Sequence, residues 1–237
     1  MHWDFAFILL FLGIAVPLLG RRRVRQLMQM PATTKEDRLT LYASTIAFQW
    51  IASGIILWRT AAHDVSAAQL GLGVPRPVIT VVLAIGLVAL VLLNQIFGLK
   101  KLATQPTANQ GLVPQLAQKL FPQDQLEGLA FFALVVTVAV CEEFIYRGFV
   151  QQVIRNSSAD SVYAAVIGSA IFFSFAHLYQ GRRGLVSTFT VGILFSVAAA
   201  VTLSLIPSIA AHFVADFTAG ILAPKYLARA NPPAISS

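Results

Sequence analysis

The chain has 237 residues, of which 57% are hydrophobic and only 11% charged, with a formal net charge of +7. A soluble domain carries about 25% charged residues, so a soluble domain of any size is excluded; the length instead holds about six to eight membrane spans of ~20 residues each. The basic residues stand in short clusters between apolar runs, a pattern that reports orientation in a membrane and contact with anionic lipid, not nucleic-acid binding.

Apolar runs at 3–19, 39–58, 78–98, 128–154, 161–180, 185–203 and 205–223 predict an all-α, polytopic membrane bundle of about seven transmembrane helices. The first run lacks a positive leader and a small-residue cleavage site, and Arg21, Arg22, Arg23 and Arg25 follow it, so it reads as a retained helix. Segment 108–120 gathers Leu112, Val113, Leu116 and Leu120 on one side; a surface amphipathic helix and an ordinary loop both fit it. Only Ser204 to Pro207 separate the last two runs, which predicts a tight helical hairpin. Counting bases at alternate ends puts Arg21–Arg25, Lys35, Arg38, Lys100, Lys101, Lys119, Arg182, Arg183, Lys225 and Arg229 on the cytoplasmic side, with the N-terminus outside and the C-terminus inside. The single cysteine, Cys141, rules out an intrachain disulfide and leaves the redox compartment open.

Charge at bilayer depth costs a few kcal/mol per group, so the few polar residues inside the runs carry the functional information. They are Glu142, Glu143 and Arg147 on the fourth run, His177 on the fifth, and His212 and Asp216 on the seventh. The chain accordingly divides into accessory N-terminal helices (1–105), a cytoplasmic or interfacial connection (106–127), a polar-cored helical bundle (128–223) and a short tail (224–237). Glu143 and Arg147 are one helical turn apart, the better order for an ion pair, whereas Glu142 is offset by about 100°. Phe173 and His177 share one face, as do His212 and Asp216, so Asp216 stands where it could orient the imidazole. Measured at ~1.5 Å per residue, Glu142, His177 and His212 lie roughly 18, 24 and 13 Å from the outer end of their runs, within about two turns of one another.

These residues resemble the three motifs of the CPBP intramembrane proteases, the group of CAAX prenyl endoproteases and bacterial Abi proteins. Glu142-Glu143-Phe144-Ile145-Tyr146-Arg147 is similar to the first motif, Phe173-Ser174-Phe175-Ala176-His177 to the second, and His212-Phe213-Val214-Ala215-Asp216 to the third. The resemblance implies an integral protein of a bacterial inner (plasma) membrane that hydrolyses a peptide bond without a catalytic metal or other cofactor. It makes Glu142, His177, His212 and Asp216 catalytic, and Glu143, Arg147 and Phe173 structural residues that shape the site. Its partners are a peptide or membrane-protein substrate and the lipid bilayer; the oligomeric state is left open. Prenyl proteases proper carry asparagine where this chain has Asp216, which leaves the role of that residue, and a prenylated substrate, open.

Peptide hydrolysis needs a polarised water, a proton donor for the leaving amine and stabilisation of the tetrahedral oxyanion. On the mapped residues, Glu142 and His177 hold and activate the water, Glu143 is neutralised by Arg147, and His212 with Asp216 faces the oxyanion. Two histidines and carboxylates also suit a zinc ion, but no His-Glu-x-x-His helix is present. Two non-proteolytic readings compete: a non-catalytic scaffold or bacteriocin-immunity partner, as in some members of the same family, and a proton-coupled transporter using intramembrane carboxylates and histidines as a relay.

Overall fold

The computed structural model describes residues 2–104 and 119–230. Seven helices of more than a dozen residues form among the described residues: α1 (Trp3–Gln29), α2 (Lys35–Ala62), α3 (Pro77–Ala103), α4 (Gln125–Ser157), α5 (Val162–Ala176), α6 (Gly181–Thr202) and α7 (Ile206–Ala230). Among the described residues five helices are long and apolar enough to cross a membrane, and α5 is apolar but only 15 residues long. Phe7, Ile51, Ile85 and Leu129 lie exposed on the outside of the bundle, an apolar surface that a bilayer, not water, accommodates. The chain is an all-α integral membrane bundle. The amphipathic segment expected at 108–120 falls almost entirely outside the described residues.

Local chemistry sets the helix ends. Thr34 and Asp37 form a reciprocal capping box at the start of α2, with Thr34 N–H donating to Asp37 at 2.8 Å and Asp37 N–H donating to the Thr34 hydroxyl at 3.2 Å. Asp124 caps α4 by accepting from Glu127 N–H at 2.9 Å, and Ser161 caps α5. In α1 a wide π-turn at Phe11–Ala15 precedes Pro17 and accommodates the N–H that proline lacks. The expected α6–α7 connection is shorter than its sequence suggests. Leu203 ends α6 in the left-handed region, and Pro207 lies inside the first turn of α7, where its missing N–H has no intrahelical partner to lose.

Ion pairs tie the helix ends together at both ends of the bundle. At one end, Lys35 pairs with Asp124 at 2.6 Å, Arg38 with Glu127 at 2.7 Å, Lys119 donates to the carbonyls of Leu27 and Met30, and Tyr179 lies beside Gly20. At the other end, Asp4 bridges Arg59 and His63 at 2.7 and 2.9 Å, and the 63–76 connection folds back so that Leu205 N–H donates to Gly71 O at 2.9 Å. Gly71 has φ +71°, and a Cβ there would press on the Leu205 side chain at 3.3 Å, so glycine fits where a larger residue would be strained. Between the two ends α7 packs on α3 and α4, α5 on α6, and α2 on α4.

Candidate active site

The polar residues of α4 lead directly into a second wide turn. Glu142 and Glu143 end the regular part of the helix, and Phe144–Val150 continues it as a π-helical segment with every residue buried. Wide turns of this kind are frequent at functional sites. Arg147 Nη1 donates to Glu143 Oε1 at 2.8 Å, and both side chains are buried. The guanidinium lies 4.2 Å from the centre of the Phe173 ring and 5.4 Å from that of Phe195, so two aromatic faces cover the cation that the carboxylate neutralises.

His212 completes this cluster from α7. Its Nδ1 lies 2.8 Å from Glu143 Oε1, the same oxygen that Arg147 holds. A carboxylate only accepts, so Nδ1 donates, and Nε2 faces Glu142 Oε2 at 4.0 Å and Asp216 Oδ2 at 3.6 Å. The four-residue spacing on α7 made Asp216 the evident partner of His212; the short hydrogen bond goes instead to Glu143 on another helix. Asp216, with its side chain 41% exposed, stands beyond hydrogen-bond reach. Glu143 thereby has a second task, fixing the imidazole as well as pairing with Arg147.

His177 sits at the C-terminal cap of α5, where the last carbonyls of a helix lack partners. Its Nδ1 donates to Phe173 O at 2.8 Å, which in the neutral ring leaves Nε2 as an acceptor. The Phe173 ring is the hub of the site: its centre lies 4.6 Å from that of His177 and 5.9 Å, nearly perpendicular, from that of His212.

Glu142 and His177 line one cavity of about 100 Å³, together with Leu12, Val16, Gln49, Tyr146 and Tyr179 among others. That volume holds several water molecules. A separate cleft of about 400 Å³ near Gly71 and Arg155 contains Arg147 but none of Glu142, His177, His212 or Asp216. Gln49 of α2 is the residue that sequence reasoning missed: its Nε2 donates to Glu142 Oε1 at 2.9 Å. A lone amide in an apolar run carries no charge, and nothing near it in the chain marks its partner. Glu142 Oε2 has no hydrogen-bond partner among the described residues. Among the described residues no three His, Cys, Asp or Glu side chains are grouped as a metal ligand set.

Residues 124–218 match the family model of the type II CAAX prenyl endopeptidases, Rce1-like. This segment is similar to the CAAX proteases. The matched segment contains Glu142, Glu143, Arg147, Phe173, His177, His212 and Asp216, so every residue singled out by motif lies inside it, and Gln49 lies outside. No curated protein and no solved structure matches the chain. The likeness to an intramembrane peptidase family is thus confined to the helical core, and the first three helices of the bundle lie beyond the match.

Proposed function

We propose that this protein is an intramembrane, glutamate-type endopeptidase that cleaves a peptide bond with a water activated by Glu142 and His177. The observation that carries the reading is that these two side chains, from different helices, line one small cavity, with His212 4.0 Å from the free oxygen of Glu142. His177 Nε2 accepts a hydrogen bond from the water, and Glu142 takes its proton as the water oxygen bonds to the scissile carbonyl carbon. The new oxyanion lies against His212, whose Nε2 donates to it when the ring carries both protons; carboxylates stand on both sides of that ring. The proton on Glu142 then passes to the leaving amine as the C–N bond breaks. Glu143 and Arg147 hold His212 in place and touch no reacting atom.

The proposed mechanism routes no step through a metal ion, and both Nδ1 atoms are committed to protein acceptors. The family description extends to this chain as a substrate class, the C-terminal segment of a prenylated protein, with other membrane-protein segments as the alternative. The orientation that fits is N-terminus outside and C-terminus cytoplasmic, in a bacterial inner membrane: Arg38, Lys35 and Lys119 gather at one end of the bundle and Arg59 at the other.

The test is cleavage of fluorogenic peptides, farnesylated and unmodified, by the purified protein in detergent. Wild type should cleave and be indifferent to chelators, while Glu142→Ala and His177→Ala should each lose at least about 100-fold in kcat. Undiminished cleavage by both variants would sink the reading. Loss of activity to a chelator, restored by zinc, would replace the metal-free mechanism. Labelling of single cysteines introduced at Ser66 and Gln29 in intact cells tests the orientation, with Ser66 expected outside.

A further inference from the structure

The carboxylate of Glu142 is asymmetric in its surroundings. Oε1 accepts from the Gln49 amide at 2.9 Å, while Oε2 has no hydrogen-bond partner among the described residues and faces His212. The terminal torsion of a glutamate is broad and roughly two-fold, so without a fixed donor the two oxygens exchange places and the plane of the group wanders. Gln49 can act as that donor because it is itself held: its side chain is buried, and α2 is locked in register on α4 by two flanking contacts. One is the Arg38–Glu127 ion pair at 2.7 Å, three turns before Gln49; the other is Trp50 Nε1 donating to Thr137 Oγ1 at 3.2 Å. The donor is also neutral. A lysine or arginine in its place would form an ion pair and stabilise the charged base, whereas an amide orients the carboxylate without neutralising it.

We propose that Gln49 is the positioning residue of the hydrolytic base: its amide fixes Glu142 Oε1 so that Oε2 is the oxygen presented to the water. The inference rests on Glu142 being that base. It assigns the N-terminal helices a part in the active site, because Gln49 lies outside the 124–218 segment that matches the peptidase family.

The experiment uses the full chain in detergent and a fluorogenic peptide that wild type cleaves. Gln49→Met keeps the length of the side chain and removes the donor; kcat should fall about tenfold, equivalent to ~1.4 kcal/mol, with KM and the unfolding midpoint unchanged. Gln49→Glu keeps shape and polarity, replaces the donor with oxygen, and should lose at least as much. The infrared carboxylate band identified by its loss in Glu142→Gln should shift in Gln49→Met, which a purely structural residue would not produce. Wild-type kcat in Gln49→Met, with Glu142→Ala inactive, overturns this role and leaves the base assignment standing. Full activity in Glu142→Ala removes both. A drop in kcat that tracks a lower unfolding midpoint, with the Glu142 band in place, makes Gln49 a packing residue and overturns the proposal.

Discussion

The Glu143–Arg147 pair separates stability from catalysis, and the structure gives the size of each effect. Glu143→Leu removes the carboxylate that pairs with Arg147, leaving a buried cation with two aromatic faces and a distant Gly192 carbonyl at 3.5 Å. An uncompensated buried charge of this kind costs about 3–5 kcal/mol. Adding Arg147→Leu removes the orphaned cation, and replacing both members of a buried pair by apolar residues of similar size is often neutral. The double variant should therefore recover most of the stability lost by Glu143→Leu alone. It should not recover activity, because His212 Nδ1 has lost its acceptor in both variants. An imidazole without its orienting carboxylate loses on the order of 10⁴ in kcat in a serine-protease triad, and a loss of at least about 100-fold is expected here, where His212 faces an oxyanion and is not the base. The assay is unfolding of the detergent-solubilised protein by titrated denaturing detergent, run beside peptide cleavage. A Glu143→Leu cost below about 1 kcal/mol, or a double variant as unstable as the sum of the singles, would refute the pairing argument. A double variant with wild-type kcat would refute the second task assigned to Glu143.

Asp216→Asn should cost less than about tenfold in kcat, since Asp216 makes no short hydrogen bond to His212, while His212→Ala should cost at least about 100-fold; a larger loss from Asp216→Asn than from His212→Ala would reverse the two roles. Gly192→Ala should destabilise by about 1–3 kcal/mol, because its Cβ would sit 3.1 Å from both Cα and Cβ of Ala170 where α5 crosses α6; an unchanged unfolding midpoint would show that the crossing yields. Asp124 lies outside the spans, and its carboxyl is held below its ordinary value of 3.8, first by the Glu127 N–H and then by Lys35. A carboxyl lowered on folding stabilises above its unfolded value, and the stabilisation fades as pH falls through the lower folded value. The stability gap between wild type and Asp124→Ala should therefore be full at neutral pH and shrink below about pH 4; a gap that grows on acidification would contradict the cap.

Much of the fold was legible because its signals are local. Apolar runs and the bases at run ends depend on neighbours along the chain, and the helices formed over those runs. The Glu143–Arg147 pair was legible for the same reason, since one helical turn brings the two side chains together. Helix ends were less so: the 161–180 run breaks at Ala176, where His177 turns its ring back onto Phe173 O, and the 185–203 run begins earlier, at Gly181. The wide turn at Phe144–Val150 carries no signal of its own, because its seven residues, Arg147 included, read as a continuation of the helix before them.

The sequence by itself determined that this protein lives in a membrane, which residues there are too costly to be incidental, and which peptidase family its core resembles. Each of these follows from the type of a residue and its spacing on one helix. Only the tertiary structure decided the partners. It gave His212 to Glu143 where the spacing on α7 pointed to Asp216, put Glu142 and His177 on one cavity, and supplied Gln49 from a helix without a single charge at bilayer depth. Contacts between helices are set by how buried surfaces pack, and no periodicity within one helix records which face of another will meet it.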